Sequence, residues 1–155
     1  MESHDRRSSG WRAGGVLLAL TAPLALGATP TPAPTWSVPA DARIEHVEAG
    51  MQKGQEDNYM KEHCGDFTLS AEETLIYLRS AKVLPEAQVH DAFDWLPCVV
   101  RGTLVSGKKP RKVVGFEISA LFTAHIYEEG KPTTYLVCEG ACATRMEKIL
   151  VSHEK

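Results

Sequence analysis

Three of the chain's four cysteines and nearly all of its strand signal fall between Asp94 and Cys142. A stretch that is both extended and crosslinkable leaves few arrangements for what surrounds it. Val99 to Val105 follows Pro97 and Cys98 as a β-branched run and ends at Ser106-Gly107, which predicts a strand entering a turn. Val114, Phe116 and Ile118 alternate with Val113, Gly115 and Glu117, the period of two expected of a strand with one buried face. Leu121 to Tyr127 and Thr133 to Cys138 flank Glu128-Glu129-Gly130-Lys131, a polar connection whose glycine is free to take positive φ, so a hairpin joins them. Four consecutive strands on short turns predict an antiparallel four-stranded meander.

Helical signals lie on either side. Asp41 can cap a helix in which Ile44, Val47 and Met51 fall at i, i+3 and i+7, ending near Gly54. The polar segment from Gln55 to Glu62 continues it irregularly toward Cys64. A second helix has a firmer start, because Ser70 and Glu73 form a capping box ahead of Leu75, Ile76, Leu78 and Ala81, and it stops before Pro85. Past Cys142, the spacing of Met146, Ile149 and Leu150 favours a short helix over a strand, with Val151 to Lys155 fraying. The fold class is therefore α+β: the meander packed against one or two N-terminal helices, in a single domain over residues 41–155.

Residues 1–27 read as a signal peptide. Arg6, Arg7 and Arg12 precede an apolar run from Ala13 to Leu26 that is short for a membrane span, and Ala25, Gly27 and Ala28 are small enough for cleavage. The alternative is an N-terminal membrane anchor. Residues 28–40 carry Pro30, Pro32, Pro34 and Pro39 among threonines, and proline fixes φ while removing a backbone donor, so this segment is an extended linker. Trp36 within it can dock on the domain or stand in solvent.

Export places the cysteines in an oxidising compartment, periplasmic or extracellular, where Cys64, Cys98, Cys138 and Cys142 form an even set with three possible pairings. Cys64 with Cys98 would tie the segment before the capped helix to the start of the sheet. Cys138 with Cys142 needs only a tight turn, which Gly140 permits. Cys98 with Cys138 across strands stays open. Cys138-Glu139-Gly140-Ala141-Cys142 can also be read as a redox pair, but thioredoxin-type dithiols have two intervening residues and a βαβ context, and here there are three. A zinc site would use His63 beside Cys64 and the other thiols. Structural zinc draws on closely paired ligands, however, and Cys64 and Cys98 each stand alone.

No reaction is legible. His90 and His125, with Asp91, Asp94, Glu117 and Glu139, could serve as acids or bases, yet no familiar nucleophile elbow, zinc-binding helix or phosphate loop sets them together. His90 reads as a loop residue and His125 as pointing to solvent from a strand. A formal charge of -3 with no basic run argues against nucleic acid. Phe93, Trp95 and Tyr127 are candidate anchors for a partner, since interface energy concentrates in aromatic residues, and core packing is their bland alternative.

Asp94-Trp95-Leu96-Pro97-Cys98 followed by Arg101-Gly102-Thr103, with Cys64-Gly65-Asp66-Phe67-Thr68-Leu69 and Leu136-Val137-Cys138, resembles a family of small exported bacterial proteins of unknown function. Its pattern is Cys-x-x-Phe, a helix, a Pro-Cys-x-x-x-Gly strand and a closing cysteine pair, and the likeness covers roughly residues 60 to 145. The family's closing pair is more tightly spaced than Cys138 and Cys142. The resemblance implies a secreted, disulfide-stapled α+β domain and brings no catalytic residues with it.

Two functions are consistent with these observations. One is a non-catalytic, secreted or periplasmic protein-binding module, such as an inhibitor or immunity-type protein, whose partner is another envelope or secreted protein, with no cofactor or metal. The other is a thiol-disulfide redox accessory working through Cys138 and Cys142.

Overall fold

The structure is a computed structural model that describes residues 35–54, 64, 66–93 and 96–153. They belong to one of the two compact units into which the chain divides, Pro32–Lys155. The other unit, Met1–Thr31, which holds the expected signal peptide, lies outside the described residues. The polar segment over Gln55 to Glu62 does as well.

Among the described residues, six strands and three helices follow in the order β1 (Arg43–Met51), α1 (Ala71–Ser80), β2 (Lys82–Leu84), α2 (Glu86–Ala92), β3 (Cys98–Ser106), β4 (Lys112–Ser119), β5 (Thr123–Tyr127), β6 (Thr134–Val137) and α3 (Ala141–His153). The strands form one antiparallel sheet in the order β1-β3-β4-β5-β6-β2. The fold is thus α+β, and β3 to β6 are neighbours in sequence order as the alternation predicts. The four-stranded expectation is corrected to six strands, because β1 and β2 add one edge each.

The segment expected as an Asp41-capped helix is strand β1. Its register against β3 slips between Ile44 and His46, where one extra residue intrudes. A bulge of this kind moves the side-chain phase by one. Ile44 and Val47 thereby both turn toward the core although they are three apart, and Met51 follows. The interruption converts strand alternation into an imitation of helical spacing. Asp41 caps no helix; its carboxylate accepts a hydrogen bond from the Gly107 amide (2.9 Å), fastening the entry of β1 to the β3–β4 turn.

The capped helix is α1. Ser70 Oγ accepts from the Glu73 amide and the Glu73 carboxylate accepts from the Ser70 amide (3.3 and 2.7 Å). It ends at Ala81, earlier than Pro85 suggests, because Lys82, Val83 and Leu84 pair with Val137, Leu136 and Tyr135 as β2. Thr74, Tyr77 and Leu78 are its buried residues, with Leu75 and Ile76 half-buried beside them. The last segment is helical through His153, so the expected fraying from Val151 is corrected as far as that residue.

One face of the sheet carries the core. Val100, Leu104, Val114, Phe116, Ile118, Ala124, Ile126 and Leu136 point to it from four strands, and Tyr77, Leu78 and Met146 cover it from α1 and α3. Each fully buried aliphatic side chain there contributes roughly 1.5–3 kcal/mol. Gly102 sits in the same phase, opposite Phe116 and Val47. A Cβ at this position would run into the His46 carbonyl and lie 2.7 Å from Phe116 Cζ, so only glycine lets the bulge of β1 close against β3.

Sulfur fastens both ends of the described fold. Cys64 is bonded to Cys98 and Cys138 to Cys142, with Cα atoms 4.7 and 5.2 Å apart, within the ordinary range. The first ties the segment before α1 to the start of β3. The second joins the end of β6 to the first turn of α3 around Gly140, whose φ of 57° permits the sharp turn. Trp36 docks on the domain: it packs half-buried against the core, and its Nε1 donates to Glu128 (3.0 Å). The Glu128 carboxylate also takes Lys112 and Lys131 at 2.9 and 2.6 Å.

Candidate functional site

The second face of the sheet carries the alternate residues, and their register sets polar groups side by side. Glu48 stands opposite Arg101, Arg101 opposite Glu117, Glu117 opposite His125 and His125 opposite Tyr135, a single row across five strands. One step along lies a second row of His46, Thr103, Gly115 and Tyr127. At the β6 end α2 covers this face. The Tyr135 hydroxyl donates to Glu86 Oε1 (2.7 Å), His90 Nε2 lies 3.7 Å from the same oxygen, and Val89 is buried apart from the main core.

Burial shapes the charges of the row. It pushes the Glu117 carboxyl up, an effect that nearby Arg101 and Lys53 partly offset. It pushes the His125 imidazole down, and His90 adds to this. Burial raises the Tyr127 phenol, and the carboxylate of Glu86 raises that of Tyr135 to about 12. All four groups are shifted toward their neutral forms. His125 Nδ1 and the Tyr127 hydroxyl are 3.1 Å apart, a hydrogen bond, while Tyr135 meets the imidazole edge-on with centroids 5.0 Å apart. His125 is therefore half-buried among aromatic partners, and its expected solvent-facing position is corrected. His90 is corrected from a loop to a residue of α2.

Where α2 does not reach, the face opens into a shallow groove of about 390 Å³ lined by His46, Glu48, Lys53, Arg101, Glu117 and Tyr127. Arg101 is held across it by donating to the Met51 carbonyl, with its side chain 27% exposed. Tyr127 rises from the groove wall at 45% exposure beside Gly115, which has no side chain to screen it.

Of the three candidate anchors, Tyr127 stands on this open face, Phe93 is half-buried where the chain leaves α2, and Trp95 lies outside the described residues. Asp91 is exposed on α2 and Glu139 is exposed beside the Cys138–Cys142 turn; Asp94 and His63 lie outside the described residues. The groove's Arg101, His46, Glu48 and Lys53 are the residues that sequence reasoning missed as a site. Only Arg101 lay on a strand that the sequence marked; His46 and Glu48 lay on β1, which read as a helix, and Lys53 lies in the turn after it. All four cysteines are spent in disulfides, and Cys138 and Cys142 are only 4% and 9% exposed, so no thiol is at hand as a nucleophile. Among the described residues, no three His, Cys, Asp or Glu side chains are placed to hold a metal ion, and no helix is long and apolar enough to cross a membrane.

The fold and the site together define a class: a small α+β protein stapled by two disulfides, with one sheet face covered by helices and the other partly open, polar and aromatic. No protein-family model, curated protein or solved structure matches the chain.

Proposed function

We propose that this protein is a non-catalytic binding module that works outside the cytoplasm and holds or neutralises another envelope or secreted protein through its open sheet face. The observation that carries this reading is Tyr127, a large aromatic side chain 45% exposed on a rigid sheet, flanked by charged groups and by the side-chain-free surface at Gly115. Tyrosine and arginine are the residue types in which binding energy concentrates when a partner excludes water around them. The two disulfides suit an oxidising compartment, as the signal-like leader and the resemblance to small exported bacterial proteins also suggest.

The alternative, a thiol-disulfide accessory, draws support from Cys142 in the first turn of α3, where a helix N-terminus favours a thiolate. The burial of both sulfurs weighs against it, since exchange requires access.

The test is capture from an envelope or secreted fraction by the full chain, its Tyr127→Ala variant and a control, Glu147→Gln, on the exposed side of α3. A partner retained by the control and lost about 30-fold or more with Tyr127→Ala supports the reading, as expected of an anchor. Capture indifferent to Tyr127, or disulfide exchange on a model substrate that needs Cys142, overturns it.

A further inference from the structure

Resting on that reading, we infer that the groove around Arg101 is a carboxylate-recognition subsite, and that its occupant is an acidic side chain, glutamate or aspartate, carried by the partner protein.

Arginine presents five N–H donors in a flat fork, which two carboxylate oxygens match. Arg101 uses that capacity sparingly. One N–H donates to the Met51 carbonyl, which orients the fork. Glu117, the adjacent acid, stands at 3.6 Å, too far for a hydrogen bond, and Nε is buried with no partner. A half-buried guanidinium in this state has exchanged its water for one carbonyl acceptor and a loose ion pair, so an incoming carboxylate meets donors whose desolvation is already partly complete.

The remaining charges agree. Of the groove's own acids, Glu117 stands beside the Arg101 cation and Glu48 lies 3.4 Å from His46 Nε2. Exposed Lys53 on the rim makes no ion pair among the described residues and supplies a second attraction. Tyr127, which also lines the groove, offers an apolar surface for the methylene stem of the entering side chain.

The test is an NMR titration of the intact protein, following the Arg101 Nε–H and the Gly102 and Gly115 amides. The probes are acetyl-Glu-Glu-amide, acetyl-Gln-Gln-amide, acetyl-triglycine with a free C-terminal carboxylate, and inorganic phosphate. Saturable shifts with the glutamate probe, weakened about tenfold or more by exchange for glutamine and by Arg101→Ala, are expected. Arg101→Lys, which keeps the charge but not the fork, should weaken binding as well, and it covers the case in which Arg101→Ala does not fold.

Equal response to glutamine, response only to triglycine or phosphate, or no response overturns the inference. Failure here with Tyr127-dependent capture intact removes the subsite and leaves the binding module. Success here with no capture leaves the subsite and removes the protein partner.

Discussion

Gly102 shows how much one residue can decide. Its place opposite both the β1 bulge and Phe116 is filled by neighbouring atoms. Gly102→Ala should therefore destabilise by about 2–3 kcal/mol, the cost of overpacking a closed site, read as a lower urea midpoint at unchanged slope. His125 governs a different property. Its imidazole is held below the ordinary value by burial and by His90, so its contribution to stability is complete above the unfolded value of about 6.5 and is lost as pH falls through the lower folded value. Glu117, raised by burial, acts in the opposite sense, giving stability at acid pH that is lost as pH rises through its folded value. The expected outcome is that His125→Gln flattens the loss of stability on acidification from about pH 7 to 5, followed by chemical denaturation at each pH. A variant curve parallel to wild type would refute this. Neither residue's role was legible in the sequence: a glycine in a strand does not show what faces it, and a histidine in the polar phase reads as solvated until α2 is seen to reach over it.

At the scale of elements, legibility followed the range of the interactions. The capping box of α1 was readable because its bonds span three residues, and it appears in full. Removing it should be correspondingly local: Ser70→Ala is expected to cost about 1 kcal/mol by thermal or urea unfolding. Glu73 has a further duty that no local pattern announces, since His153 of α3 lies 2.9 Å from its carboxylate and joins the two helices. β3 to β6 were readable from alternation and short turns. β1 was not, because the bulge put Ile44 and Val47 three apart, and β2 was not, because three residues carry no period at all. The groove shares that limit. Arg101, Glu117 and His125 come from three different strands, and only the register of two antiparallel pairings sets them in a row.

For the molecule as a whole, the disulfides should contribute unequally. Cys64 and Cys98 are separated by 34 residues, and the chain-entropy model gives about 3–4 kcal/mol for a loop of that size. Cys138 and Cys142 are separated by 4, for which the same model gives about 2 kcal/mol. Paired Cys→Ser variants should rank in that order by urea unfolding, and the opposite ranking would mean that the short bridge chiefly sets the docking of α3 and not the entropy of the unfolded chain. The export reading belongs to this scale too, as both crosslinks suit an oxidising compartment. Exposed sheet edges are where copies of a protein add to one another strand by strand. One border of this sheet is a three-residue strand; the other is broken by a bulge and studded with Arg43, Glu45, His46 and Glu48. Crowded together, such chains lack a straight, uncharged template to grow on, so a high local dose need not seed filaments.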